Sequence, residues 1–293
     1  MNQTTDRGVI FRAYLSIFLA AVSWGFIGLW TRHLMADGLS PLGISVVRNV
    51  GSMTVLCLLF AIKDRSVFQV RREHLKYFFG TGIVSVVLFS LCYFCCQQLC
   101  SLAVSSILLY TAPSFVVVLS AILWKEPIHA RKIAALFLTL LGCAMVCGVF
   151  AGELTVSLTG ILLGLGSGFF YALYSIFGRY ALAHYSSMTV TVWTFIFAGP
   201  ASLFLVRPDD LAAFGAKPSM ALTAIALVIF STVLPYLLYT AGLSKVESGK
   251  ASILASLEPV VASLTGVVVF GEPMTMMTAL GVALVFGGVA ILG

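Results

Sequence analysis

Long apolar stretches alternate with short polar connections along the whole chain. Ten stretches each come close to the roughly 20 residues that a helix needs to cross the hydrocarbon core of a membrane. Their limits are residues 14–34, 41–62, 76–97, 102–124, 131–150, 158–181, 187–206, 219–241, 249–270 and 275–292. Because the connections leave no room for a soluble domain, the pattern predicts an all-α membrane protein with ten transmembrane helices.

The composition points to the same class of protein. Hydrophobic residues make up 60% of the chain and charged residues only 10%, which excludes an ordinary soluble domain. If the N-terminus is placed in the cytoplasm, most of the 17 Lys and Arg residues fall on the inner face, and only Arg32, Arg207 and Lys217 fall on the outer one. We therefore expect a multi-pass protein of the cell inner or plasma membrane, with both termini cytoplasmic and no nucleic-acid partner.

Two similar stretches reveal an internal repeat. Residues 105–127 read SSILLYTAPSFVVVLSAILWKEP, and residues 251–273 read ASILASLEPVVASLTGVVVFGEP. Their prolines, Pro113 and Pro259, are 146 positions apart and are predicted to break their helices. The sequence therefore predicts a five-helix repeat in residues 1–150 and a second one in residues 151–293. Because five is odd, the second repeat must be inverted in the membrane.

Two charged residues lie at membrane depth. Glu258 is the one ionisable residue in the apolar stretch 251–270, and Arg48 is the one Arg well inside a helix. A carboxylate there costs several kcal/mol unless it meets a partner or water, so Glu258 must face protein or a cavity. It could bind a substrate or a proton, or it could serve as a structural partner for Arg48 or for a free backbone amide. Arg48 could equally hold a substrate carboxylate.

Four aromatic residues occupy equivalent positions of the two repeats. Trp24 corresponds to Tyr171, and Tyr93 corresponds to Tyr239. They could line a cavity and stack on flat or apolar groups of a substrate, or they could be ordinary packing residues. Together with Glu258 and Arg48 they form the predicted substrate site.

Other chemistry receives little support from the sequence. Six of the seven cysteines lie in the apolar segments, without a nearby His or carboxylate cluster, so we expect no metal site. There is no ATP-binding loop and no His placed beside a nucleophile, so we expect neither a cofactor nor an enzyme. Glu126 and Glu272, each followed by Pro, are expected to cap the helices that come next.

These features resemble the drug/metabolite transporter superfamily, in particular its EamA-type ten-helix carriers. The resemblance rests on Trp24-Gly25, Arg48, the two Pro…Glu-Pro stretches at 113–127 and 259–273, and the glycines that follow at Gly142 and Gly287-Gly288. It implies a cavity between the two halves and transport by alternating access. On this resemblance the chain is similar to exporters of aromatic amino acids and other metabolites.

Three functions remain open at this point. The first is a secondary transporter that exports small metabolites, with aromatic or neutral amino acids as the preferred class. The second is an exporter of organic cations or drug-like amines, with Glu258 as their counter-charge. The third is a lipid flippase or a lipid-processing membrane enzyme. The expected partners are a small-molecule substrate and membrane lipid, and protons are a further candidate if Glu258 couples transport to a pH gradient.

Overall fold

The computed structural model describes residues 3–150, 156–217 and 219–292. Within these ranges all regular secondary structure is helical. The first five long helices are α1 (Arg7–Ala36), α2 (Pro41–Lys63), α3 (Arg72–Leu99), α4 (Leu102–Trp124) and α5 (Ala130–Val146). The next five are α6 (Leu158–Leu182), α7 (Ser187–Leu205), α8 (Met220–Leu243), α9 (Ser248–Phe270) and α10 (Met276–Leu292). The predicted fold class, an all-α multi-pass membrane protein, is confirmed.

The helix lengths fit a membrane protein. In the part of the chain that the structure describes, eight helices are long and apolar enough to span a bilayer, and α5 and α10 have 17 residues each. Helix α5 ends at Val146, earlier than the apolar stretch that runs to residue 150. Gly148 lies two residues after this end, and its φ of 76° is typical of the residue that follows a helix.

Both α4 and α9 are broken in the middle. Helix α4 consists of Leu102–Leu109 and Ala112–Trp124, and α9 consists of Ser248–Ala255 and Glu258–Phe270. Each break comes just before a proline in the first turn of the second segment, where a missing backbone donor costs nothing. The breaks are 146 positions apart, as the repeat requires.

The third helix of each half has a wide, π-helical segment. In α3 it spans Gly80–Val87, and in α8 it spans Ile229–Val233. Such segments shift the side chains that follow around the helix axis, and they occur often at functional sites. Here the α8 segment presents two adjacent hydroxyl groups, those of Ser231 and Thr232, to α1 and α2.

The last helices of the two halves, α5 and α10, pack against each other through glycines. A Cβ atom on Gly142 would lie 2.7 Å from the carbonyl oxygen of Gly281, and one on Gly288 would lie 2.9 Å from that of Ala135. Gly142 and Gly288 are 146 positions apart, and so are Ala135 and Gly281, so the two contacts are equivalent with the halves exchanged. The contact therefore has a two-fold pseudosymmetry, although the boundary between halves at residue 150 stays a prediction.

The turns that end α4 and α9 differ in one informative residue. Both have a left-handed residue there, Lys125 with φ 54° and Gly271 with φ 68°. Lys125 is the one non-glycine residue with positive φ among those described. The left-handed conformation costs an ordinary residue roughly 1 kcal/mol, and glycine adopts it freely.

We expect Lys125→Gly to raise the stability of the purified protein by about 0.5–1 kcal/mol, because it relieves this strain. The exposed Lys125 side chain makes no hydrogen bond or ion pair with any described residue, so the substitution removes no such contact. Thermal unfolding in detergent measures the change. The matched control is Gly271→Lys, which should lower stability, and a stabilising effect of that control would contradict the explanation.

Candidate substrate site at the break of α9

Glu258 is the first residue of the second segment of α9, directly after the break. It is half-buried. Its carboxylate has no hydrogen-bond or ion-pair partner among the groups that the structure describes, and it is not one of the fully enclosed polar groups without a partner. The carboxylate is therefore unpaired and not completely enclosed among the described residues.

The groups around Glu258 come from helices of both halves. Those close enough for a Coulomb interaction with its carboxylate are Arg48 of α2, Tyr93 of α3, Tyr110 at the break of α4, Cys143 and Cys147 at the end of α5, Tyr171 of α6 and Tyr236 of α8. The Cys143 thiol also donates to the backbone carbonyl of Ser256, 3.8 Å away, within the break itself. The site is thus built where the two broken helices meet the rest of the bundle.

Arg48 is close enough to Glu258 for a Coulomb interaction but does not pair with it. Its Nε donates to Oγ1 of Thr232 at 3.1 Å, and that hydroxyl donates to the backbone carbonyl of Leu227 at 3.1 Å. The terminal nitrogens of the guanidinium have no hydrogen-bond partner in the described ranges. No ion pair within 4 Å joins Arg48 to Glu258. The structural ion pair that the sequence allowed is therefore absent, and two opposite charges remain available near each other.

Trp24 and Tyr239 lie in a buried aromatic cluster. The ring centroid of Trp24 is 5.4 Å from that of Tyr239 and 5.5 Å from that of Tyr236, to which it is nearly perpendicular. The hydroxyl of Tyr239 shares a 2.8 Å hydrogen bond with Ser175 of α6. Only 6% of Trp24 and 4% of Tyr239 are exposed, so in this structure both side chains are packed inside the helix bundle.

Tyr93 and Tyr171 belong to a second aromatic group. Phe89 connects them, because its ring centroid is 6.0 Å from that of Tyr93 and 5.3 Å from that of Tyr171. Both tyrosines are half-buried, and the Tyr93 hydroxyl lies 3.3 Å from that of Ser106. The four predicted aromatics are therefore divided: Tyr93 and Tyr171 lie beside Glu258, while Trp24 and Tyr239 are packed together.

Close contacts between α1 and α9 and between α6 and α4 hold the breaks in place. A Cβ atom on Gly25 would lie 2.4 Å from Val261 and 3.0 Å from the backbone oxygen of Glu258. A Cβ atom on Gly168 would lie 2.7 Å from Thr111, at the break of α4. In each case the first helix of one half packs against the broken helix of the other half.

Sequence reasoning missed three residues of the site: Tyr110, Thr232 and Tyr236. A signal was present for Tyr110, because it lies two positions before Ala112, the repeat equivalent of Glu258. Tyr236 lies one turn before Tyr239, so it was within reach of the same aromatic argument. Thr232 carried no signal, because the π-helical segment that directs its hydroxyl to Arg48 is not visible in the sequence. Within the described ranges no cluster of three potential metal ligands occurs.

Comparisons with known proteins agree on a transporter. The EamA-like transporter family matches residues 11–148 and 158–293. An uncharacterized transporter of Archaeoglobus fulgidus is 28% identical over 96% of this chain and 98% of its own length. The inner membrane transporter YicL of Salmonella typhimurium is 22% identical over 96% of this chain and 95% of its own.

Two further similarities concern substrate and fold. The threonine/homoserine exporter RhtA of Escherichia coli is 34% identical over 43% of each chain. A solved crystal structure has a TM-score of 0.78 with this chain at 20% identity, and the match covers 96% of both chains. At that level of identity the solved structure supports the fold alone.

Proposed function

This chain belongs to the EamA-like transporter family, a family of transporters rather than enzymes, and from that premise we propose that it is a secondary carrier that exports zwitterionic amino acids. In this proposal Glu258 binds the α-ammonium group and Arg48 binds the α-carboxylate. Tyr93, Tyr110 and Tyr171 contact the side chain of the substrate. Neutral and aromatic amino acids form the preferred class.

One observation carries the proposal: Glu258 and Arg48 are close enough for a Coulomb interaction, yet they form no ion pair with each other. Two unpaired opposite charges at membrane depth are costly, so they are expected only where a ligand completes them. An α-amino acid has both complementary charges on neighbouring atoms. A simple amine would satisfy Glu258 and leave the Arg48 guanidinium without an anion.

The similarity to RhtA supports the same class of substrate. RhtA is named for the export of threonine and homoserine, both of which are zwitterions with neutral side chains. The match covers less than half of either chain, so it supports the class and does not select one amino acid. The tyrosines around Glu258 favour substrates whose side chains have more apolar surface than the side chain of threonine.

The proposed transport cycle is alternating access by rearrangement of the packed helices. We place the N-terminus, the C-terminus and the ends of α4 and α6 on the cytoplasmic side, as the distribution of Lys and Arg indicates. The second half is then inverted relative to the first. Alternate opening towards the two sides would expose the region around Glu258 to one side at a time, as in other carriers built from inverted repeats.

We extend the proposal to protons as the coupling ion. A carboxyl group in this environment needs a positive charge or a proton to remain stable when no substrate is bound. Proton binding at Glu258 and ammonium binding at Glu258 would then be mutually exclusive. Export of one amino acid would be exchanged for entry of one proton, and an inward proton gradient would drive the export.

A transport panel in proteoliposomes tests the proposed substrate class. Phenylalanine, phenethylamine and 3-phenylpropionate share one ring, and only phenylalanine carries both charges; threonine adds a small neutral zwitterion. We expect both amino acids to exchange against internal labelled substrate at least about tenfold faster than either single-charge analogue, because a site with two polar partners rejects ligands that satisfy only one. Equal transport of phenethylamine would favour the organic-cation exporter instead.

A further inference from the structure

Two Arg–Glu ion pairs occupy equivalent positions in the two halves. Arg32, near the end of α1, has its Nη1 2.7 Å from Oε1 of Glu272, which follows α9. Arg179, near the end of α6, is ion-paired with Glu126, which follows α4. We call Arg32–Glu272 the outer ion pair and Arg179–Glu126 the inner ion pair. Each pair joins the first helix of one half to the broken helix of the other.

The surroundings of the two pairs are also repeated. The Cζ atom of Arg32 lies 4.3 Å from the ring centroid of Phe270, and that of Arg179 lies 4.4 Å from the ring centroid of Trp124. Phe270 and Trp124 are 146 positions apart, like the two glutamates. A guanidinium that stacks on an aromatic face and also holds a carboxylate is fixed in two directions.

The sequence suggested that these two carboxylates cap the helices that follow them. In the structure they pair with the arginines instead. The backbone amide of Glu272 donates to Gly266, and that of Glu126 donates to Ser120. These bonds close the left-handed turns that end α9 and α4, and they direct both side chains towards the arginines. The sequence suggestion was wrong because the partners come from helices that are distant along the chain.

The two pairs differ in exposure and in the number of charges. In the outer pair the side chains of Arg32 and Glu272 are 53% and 45% exposed. In the inner pair the Glu126 side chain is only 6% exposed, and Lys132 lies 3.8 Å from its Oε2. Lys132 in turn pairs with Glu247 at 3.1 Å. Separation of the inner pair would leave the buried carboxylate of Glu126 without its Arg partner, whereas separation of the outer pair exposes two groups that are already half in solvent.

We propose that these two ion pairs are the gates of the transport cycle, the outer pair on the external side and the inner pair on the cytoplasmic side. Opening towards either side must separate the helices that the pair on that side joins, α1 from α9 on the outer side and α6 from α4 on the inner side. Because the outer pair is the weaker one, the unloaded carrier opens outwards first. This inference rests on the proposed orientation and on alternating access, but it does not depend on which substrate is carried.

Hydrogen–deuterium exchange of the purified carrier, without substrate, tests the gates. In Arg32→Glu we expect deuterium uptake to rise about fivefold or more in residues 28–36 and 266–276, because like charges now repel across the outer gate. Uptake in residues 118–128 and 176–184 should fall, because a carrier that opens outwards more often opens inwards less often. The reversed pair Arg32→Glu with Glu272→Arg should restore both values.

The inner gate gives the complementary test. Glu126→Gln should raise uptake at residues 176–184 and lower it at residues 266–276. The control is Arg71→Gln, which removes an exposed ion pair with Glu73 inside one half and should change neither gate. Two outcomes would overturn the inference: higher uptake at both gates in one variant, which marks simple destabilisation, or failure of the reversed outer pair to restore uptake.

The substrate assignment is judged by a separate readout. Reciprocal exchange at the two gates together with failed amino-acid transport would refute the substrate class and leave the gates standing. Normal amino-acid transport in a carrier whose two gates do not change reciprocally would refute the gates and leave the substrate class standing.

Discussion

Replacement of Glu258 by Gln is expected to reduce transport of a zwitterionic amino acid by roughly 30- to 150-fold. The variant loses one charge-assisted contact with the substrate ammonium group, which is worth about 2–3 kcal/mol. Gln has the same shape and still forms hydrogen bonds, so the effect isolates the charge. Counterflow of labelled phenylalanine in proteoliposomes measures it, and accumulation driven by a pH gradient should be lost as well.

The stability of the same variant separates a substrate site from a structural role. Glu258 has no partner among the described residues, so Glu258→Gln should reach the membrane in normal amount with an unchanged unfolding temperature. A structural ion pair would behave differently, because its loss would lower the yield and Arg48→Gln would rescue it. Normal pH-driven flux in a stable Glu258→Gln carrier would remove Glu258 from the mechanism.

Gly288→Leu is expected to destabilise the folded bundle by more than about 3 kcal/mol. Even a Cβ atom at this position would lie 2.8 Å from Thr139 and 2.9 Å from the backbone oxygen of Ala135, so α5 and α10 would have to separate. Small residues are what allow helices to approach closely within lipid, where no hydrophobic effect drives them together. Yield after purification and thermal unfolding in detergent measure the loss.

The neighbouring residue provides a matched control for this prediction. Gly287 is on the exposed side of α10, and a Cβ atom there would meet nothing within 4 Å. Gly287→Leu makes the same chemical change one residue away and should leave yield and unfolding temperature nearly unchanged. If both variants lose stability equally, the α5–α10 contact does not explain the result, because the change from Gly to Leu by itself favours a helix.

Most of the fold was predictable because membrane crossing imposes a simple rule on composition. Every described span had to appear as an apolar stretch, and the 146-residue repeat then fixed which helices correspond. Helix ends were less predictable: the helical segment that enters α1 begins at Gln3, well before the apolar stretch begins at residue 14. The polar first turns of α1 form a helix without needing the membrane core, so hydropathy does not detect them.

The site was only partly predictable, because its geometry depends on which face each helix turns towards its neighbours. The sequence identified Glu258 and Arg48 from the cost of burying charge, and this argument needs no structure. It did not determine whether they pair, because the π-helical segment of α8 is what provides Thr232 to Arg48. Likewise, the packing of Trp24 against Tyr236 depends on the crossing of α1 and α8, which no local pattern records.

The central claim is that Glu258 and Arg48 each hold one end of a zwitterion. Competition binding of phenylalanine, phenethylamine and 3-phenylpropionate to wild type, Glu258→Gln and Arg48→Gln tests this claim most directly. We predict that Glu258→Gln weakens phenylalanine and phenethylamine but leaves 3-phenylpropionate unchanged. Arg48→Gln should weaken phenylalanine and 3-phenylpropionate but leave phenethylamine unchanged. Equal weakening of all three ligands by either variant would contradict the claim.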